Sequence, residues 1–406
     1  MLVTPSSTAE KSLSAYLAEG LNLLPQLPAT DISLFSGKLG HVLLYAYTYK
    51  LTGKEDHWDH AMTCVDDVLD KLRNPAGSAL ISVPGVIPCL CYLLQVLSTD
   101  GITDIDLGTD TLRQLDEVVF QNTQANLQDR NIDFLYGSVG ALNYLSTRLD
   151  HNPAAAGYLR TLLQDLLAHK VEDVRGVRFY NSHINRMNNS TDMNLGLAHG
   201  QCGLLLVLLK LYEAGTLQAE IRPVATGMLQ YLLGLQLPPE PENGYHSFFP
   251  ARFDDDAAPS DPLNRVKYNN RMGWCYGDLN VILVLYRAAR ILQLPHLVAI
   301  ADEVGAYTCT RRTLEASGIE NAHICHGSAS LVMCYNALLR EMPLACYSEA
   351  KNYWLHRTTN YLDEEYRQAL TNKHAPGLLM GIPGMLLILV TEMLDAPTSW
   401  EQLFLF

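Results

Sequence analysis

The sequence predicts an all-α protein, an α/α toroid in which seven inner buried helices are surrounded by seven outer amphipathic helices. Three observations predict it: a small-residue turn that recurs seven times, an apolar run of about a dozen residues after each turn, and one-faced helical patterns between the runs. The turns carry Gly37, Gly85, Gly137, Gly200, Gly277, Gly327 and Gly381, a period near fifty with long insertions before Gly200 and before Gly277. No sustained two-residue alternation marks a strand.

Taken in order, the segments are "SGKLGHVLLYAY" from Ser36, "PGVIPCLCYLLQVL" from Pro84, "YGSVGALNYL" from Tyr136 and "HGQCGLLLVLLKLY" from His199; then "YGDLNVILVLYRAA" from Tyr276, "HGSASLVMCYNALL" from His326 and "MGIPGMLLILVTEML" from Met380. The second belongs to the uncharged stretch 79–97, close to the length of a membrane span. Pro84, Gly85 and Pro88 cut its first half, leaving a core helix of about nine residues, too short to span. In the fourth, Leu204 to Leu209 are six consecutive apolar residues that cannot share one face, so the helix is buried all round. Between such runs, Leu159, Leu162, Leu163, Leu166 and Leu167 fall on a single helical face. One amphipathic helix, a turn and one buried helix build two concentric layers, and seven such pairs close into a ring spanning residues 1–406 as one domain.

The GxxG turns lack a preceding strand and the GxGxxG spacing, so they are structural and not dinucleotide-binding. Placed at one end of the ring, they aim seven positive helix ends at a common mouth, which is the default site. Bulk composition narrows its ligands. Net charge is −14 with no Lys/Arg cluster, which excludes nucleic acid and an anionic membrane surface as electrostatic partners. The N-terminal stretch has neither a basic region nor an apolar one that would mark export, and nine cysteines suit a reducing cytoplasm.

Cysteine is most often a packing residue, and Cys64, Cys89, Cys91, Cys202, Cys309, Cys334 and Cys346 lie in or beside helical runs. Cys275 in "WCYGD" and Cys325 in "CHGSAS" instead lie in repeat turns, with His326 following directly. Two cysteines and a histidine at one rim offer three soft ligands for Zn²⁺ and an open fourth position, the catalytic pattern. His199 also directly precedes a repeat glycine; its structural reading is a cap or core histidine. Asp133, four residues before Gly137, equally suits a helix cap. Arg271 and Tyr276 flank Cys275, where either could anchor the proline-rich segment 238–270, itself expected to be a lid or binding loop. Its Asp254, Asp255 and Asp256 suggest a magnesium-binding cyclase, but off a helix they read as solvated surface.

Together "GLAHGQCGLL", "WCYGD" and "CHGSAS" resemble the lanthipeptide synthetase C family, zinc-dependent cyclases that form lanthionine rings, and the likeness runs the length of the chain. The resemblance implies that Cys275, Cys325 and His326 hold one Zn²⁺ and that His199 acts as acid/base. It further implies active-site roles for Asp133, Arg271 and Tyr276. The second, fifth and sixth turns depart from the repeat by lacking the second glycine. The implied reaction is intramolecular Michael addition of a peptide cysteine thiolate to dehydroalanine or dehydrobutyrine. Zinc held by two thiolates and a neutral imidazole leaves the substrate sulfur nucleophilic, and His199 returns a proton to the α-carbon while Arg271 holds the oxyanion. The implied partners are a dehydrated precursor peptide, a lanthipeptide dehydratase and an export transporter, which would place the enzyme in the cytoplasm, held by partners at the inner face of the membrane. Glutathione addition to dehydroamino acids on proteins, a non-catalytic zinc-stabilised scaffold and a prenyltransferase-like zinc ring are the alternatives; the paired W-C-Y-G and C-H-G motifs argue against the last.

Overall fold

The computed structural model describes residues 11–73 and 83–406. Fourteen helices make up the rings: α1 Leu13–Leu23, α2 Lys38–Thr52, α3 Glu55–Arg73, α4 Val83–Thr99, α5 Asp110–Gln128, α6 Ser138–Ser146 and α7 Ala155–Leu167, then α8 Gln201–Glu213, α9 Gln218–Leu233, α10 Asp278–Ile291, α11 His296–Thr308, α12 Ser328–Glu341, α13 Ala345–Gln368 and α14 Ile382–Met393. The even-numbered helices are the seven apolar runs. Each packs on the even-numbered helix before and after it, and α14 packs on α2, closing the inner ring. Each of the inner helices α2 to α12 packs on the odd-numbered helix that follows it, whereas α14 takes α1 as its outer partner. The N-terminal helix therefore completes the outer ring, tied by the Tyr366 hydroxyl of α13 to Tyr16 O at 2.9 Å.

Burial follows the sequence pattern. In α8 every residue from Gln201 to Leu209 is buried, while α7 buries Leu159, Leu162, Leu163 and Leu166 on one face. One expectation fails. The second inner helix is not shortened by its prolines: α4 runs from Val83 to Thr99 straight through Pro88. Pro88 removes one hydrogen bond in the second turn, and burial of Leu90, Cys91, Tyr92, Leu93, Val96 and Leu97 outweighs that loss. Its Gly85 accordingly lies inside the helix and caps nothing; residues 79–82 of the uncharged stretch fall outside the described residues. No helix among the described residues is long and apolar enough to cross a membrane.

The two insertions flank the fourth repeat. The first holds a hairpin of β1 Val171–Asp173 and β2 Gly176–Arg178, a short helix Ser182–Asn188 and β3 Met193–Asn194; β3 pairs antiparallel with β4 Arg252–Phe253 of the second. Segment 238–270 is thereby tied to the first insertion, and its Ala251, Arg252, Asn269 and Asn270 line a cavity with Arg271 and Tyr276. Phe248 N and Phe249 N donate to the buried Asp278 carboxylate at the start of α10, which also takes Arg311 at 2.8 Å. Asp255 is not solvated surface. It accepts from Arg175, Arg178, Tyr180 and Tyr231, joining the two insertions through a largely buried carboxylate.

The glycine turns are required by close approach. A Cβ on Gly203 would stand 2.0 Å from Leu197 O, and one on Gly200 would stand 2.2 Å from Asn194 O. Gly203→Ala is expected to lower unfolding stability in denaturant by about 2–3 kcal/mol, against the roughly 1 kcal/mol gain alanine gives an unhindered helix. Gly157→Ala on the exposed face of α7, where a Cβ meets nothing within 4 Å, is expected to stabilise. Equal effects at the two positions would contradict this account of the turns.

Candidate functional site

The rim is built by the turns that precede α2, α6, α8, α10, α12 and α14. Four open on a side chain that accepts from the backbone two residues on: Asp31 from Ser33 N, Asn131 from Asp133 N, Asn194 from Gly196 N and Asn321 from His323 N. Each closes six residues later on the glycine that caps the inner helix. Backbone bonds then link turn to turn. Leu379 N donates to Phe35 O, Cys325 N to Leu379 O, Cys275 N to Cys325 O and Phe134 N to Ala198 O, at 3.0 to 3.3 Å. The turns thus share one mouth, and residues at equal register stand side by side on it. Where the fifth and sixth repeats lack a second glycine, Asn280 and Ser330 bond the neighbouring turns instead: Leu197 N donates to Asn280, and Trp274 N donates to Ser330 at 2.5 Å.

This construction brings Cys275 and Cys325 together. Their sulfurs are 2.6 Å apart and unbridged, and Cys275 is buried at 4% exposure. Their contact moves the two thiols in opposite directions. Cys275 is pushed well above the usual thiol range by its hydrogen bond with Cys325 and by burial. Cys325 is drawn down to about 5 by that same hydrogen bond, against its burial, with the His326 imidazole bonded beside it. Arg271 also draws Cys275 down, and the charge of His199 bears on Cys325, so both lie within electrostatic reach of the sulfurs.

Two thiols in contact and an imidazole on the next residue are the soft donors that zinc prefers. Among the described residues, however, no three His, Cys, Asp or Glu side chains stand in an arrangement that holds a metal ion as it is. Two sulfurs on one tetrahedral zinc ion stand about 3.8 Å apart, so the donor set fits in chemistry and must part by about 1 Å to fit in geometry.

His199 and Asp133 form the second group. His199 Nδ1 and Asp133 Oδ2 are 2.7 Å apart. Asn181 Nδ2 donates to the same carboxylate oxygen at 2.8 Å and to His199 O at 3.0 Å. Asp133 does not cap α6, whose N-cap is Gly137; its other oxygen instead accepts from Leu135 N and Tyr136 N inside the turn, each at 2.9 Å. Asp133 is wholly buried, and the Tyr136 ring stacks on the His199 imidazole with 6.1 Å between centroids.

Arg271 and Tyr276 are brought beside the sulfurs but bonded to none of these groups. Arg271 is exposed and, with Tyr276, Asn188, Arg252, Asn269 and Gly318, lines a cavity of about 540 Å³. Tyr276 is half-buried; burial and the adjacent Cys275 raise its hydroxyl while Asn194 opposes them. The Tyr276 ring lies against Gly196, where a Cβ would collide with Cys275 O.

Two residues of this arrangement escape the sequence reading. Tyr136 occupies the position before a repeat glycine, as His199, Tyr276 and His326 do, and that register could have found it. Asn181 lies in the first insertion with no motif to mark it.

The sequence matches the family model described as Lanthionine synthetase C-like protein over residues 2–405. Among solved structures the fold is similar to that of nisin cyclase, with a TM-score of 0.74 and 16% sequence identity, covering 97% of this chain and 96% of that one. An inactive variant of the α-1,6-mannanase of Salegentibacter sp. HEL1_6 aligns at a TM-score of 0.43 and 14% identity over 92% of this chain and 98% of its own, too loosely to inform the site.

Proposed function

Because the chain belongs to the lanthionine synthetase C-like family, we propose that it closes thioether rings in a dehydrated peptide by adding a cysteine thiol to dehydroalanine or dehydrobutyrine. The observation that carries this reading is the meeting of Cys275 and Cys325, fifty positions apart in sequence, at one rim with His326 and the Asp133–His199 pair. Cys275, Cys325 and His326 are the residues that would hold Zn²⁺. Bound there, the ion supplies a Lewis-acid centre at which a substrate thiol is stabilised as its nucleophilic thiolate.

The remaining steps fall to the chain's own side chains. As the carbon–sulfur bond forms at the β-carbon, negative charge passes to the α-carbon and its carbonyl oxygen. Arg271, exposed and without an ion pair among the described residues, is free to meet that oxygen. His199 delivers the proton to the α-carbon, with Asp133 fixing the ring through Nδ1 so that Nε2 is the working atom. Tyr276 walls the cavity beside the sulfurs and limits water. The substrate must come from a reaction that removes water from serine or threonine, so a dehydratase is the proposed partner upstream and an exporter the one downstream.

The test is incubation with a dehydrated, cysteine-containing peptide in the presence of zinc, followed by thiol alkylation and mass spectrometry. Ring closure leaves the peptide mass unchanged while its thiols become inert to alkylation. Glutathione offered alongside would appear as added mass, which would move the assignment to intermolecular addition. Peptide thiols that remain fully alkylatable, with no adduct, would contradict both.

A further inference from the structure

Residues 399–406 run through the middle of the ring and not over its surface: Trp400, Leu403, Phe404 and Leu405 are all buried. Inner helices grip the segment on several sides. Tyr92 of α4 and Asn143 of α6 donate to Gln402 O at 3.4 Å, Arg287 of α10 donates to Leu405 O at 2.7 Å, and Arg340 of α12 pairs with Glu401 at 2.7 Å. Trp400 Nε1 donates to Thr391 Oγ1 of α14 at 2.9 Å. At the other end of the segment, Phe404 O accepts from Trp274 Nε1 at 2.8 Å, and the Phe404 ring meets those of Trp274 and Phe35 edge-on at 5.0 and 5.5 Å.

Trp274 immediately precedes Cys275. Its own N–H is held by Ser330 of α12, and the next N–H, that of Cys275, is held by Cys325 O. A buried indole ordinarily finds some acceptor, and that alone would be packing. Here the acceptor belongs to a segment clamped to inner helices around the ring, and the bonded residues are consecutive, which leaves the sulfur-bearing turn little slack. We propose that residues 399–406 form an internal plug that sets the position of Cys275, with Trp274 as the positioning residue joining plug to turn. The inference rests on the assignment of Cys275 and Cys325 as metal ligands.

The experiment compares Trp274→Phe, which keeps an aromatic ring and loses the indole N–H, with Tyr366→Phe. The latter loses a buried donor between α13 and α1, two outer-ring helices that carry neither Cys275 nor Cys325. Loss of either buried hydrogen bond should lower stability alike. Zinc affinity, measured by competition with a chelating dye, should fall about tenfold in Trp274→Phe and stay within about twofold in Tyr366→Phe. A metal-free readout accompanies it: the rate at which 4,4′-dithiodipyridine bridges Cys275 to Cys325 should shift severalfold in the first variant alone. Should Trp274→Phe not fold, Phe404→Leu, which removes the ring contact and keeps the carbonyl, takes its place with the same expected ranking. Equal effects in variant and control, or no effect in either, overturn the proposal. A wild-type chain that binds no zinc defeats the ligand assignment instead, and the bridging rates still decide whether the plug positions the turn.

Discussion

Cys275→Ala is expected to lose bound zinc and ring closure together. The substitution removes one sulfur of a pair 2.6 Å apart and leaves two of the three proposed ligands, Cys325 and His326. Zinc sites built of four such donors carry roughly 10–16 kcal/mol, so one ligand contributes about 3–4 kcal/mol, and its loss weakens binding by about two to three orders of magnitude. The fold should survive. The backbone bond from Cys275 N to Cys325 O does not involve the sulfur, and neither does the hold of Ser330 and Phe404 on Trp274. A variant that melts near the wild type, carries almost no zinc by elemental analysis and leaves peptide thiols open to alkylation fits this expectation. Stoichiometric zinc in Cys275→Ala would place the metal elsewhere, and full cyclisation without zinc would remove the metal from the reaction. His326→Ala is expected to show the same pairing of losses.

The inner ring was legible because its physics is local. An apolar run with no polar face has nowhere to go but inside, and Leu204 to Leu209 do go inside. The glycines were legible for the same reason, since Gly200 and Gly203 lie on backbone that leaves no room for a Cβ. Long-range facts were hidden. That α1 serves as the outer partner of α14 depends on ring closure, a property of no single segment. Likewise, the prolines of α4 predict a shortened helix unless the burial of its second half is known.

The insertions were read least well, because a buried carboxylate and a solvated one look alike in sequence. Asp255 becomes the junction of four donors only once β3 and β4 pair. At the rim, Cys275, Cys325, His326 and His199 stood out by register, and the structure gathers the two sulfurs, the adjoining imidazole and the Asp133–His199 pair around one mouth. Asn181 contributes through a contact forty-eight positions away and carries no such mark.

Asp133→Asn should separate the two halves of the site. The carboxylate does two tasks with two oxygens: Oδ1 accepts from Leu135 N and Tyr136 N, and Oδ2 meets His199 Nδ1 and Asn181 Nδ2. An amide can keep the turn bonds through its remaining oxygen, so the fold and the sulfur pair should persist. Its NH₂ then points at His199 Nδ1 and at the Asn181 amide, both of which are donors in the wild type. The imidazole must adopt the other tautomer or rotate away, and in either case it no longer presents a fixed Nε2 acid to the substrate. A positioned general acid is worth about 10²–10⁴ in rate, so ring closure should slow by at least about 100-fold while zinc content stays unchanged. His199→Ala should behave alike, and whatever product forms slowly in either variant should be a mixture at the α-carbon, because water delivers the proton from both faces. Stereochemical analysis of the residual lanthionine checks this directly. Unchanged rate with a single stereoisomer in both variants would show that the proton comes from another group, and Tyr136, stacked on His199 and exposed to the mouth, would be the next residue to replace.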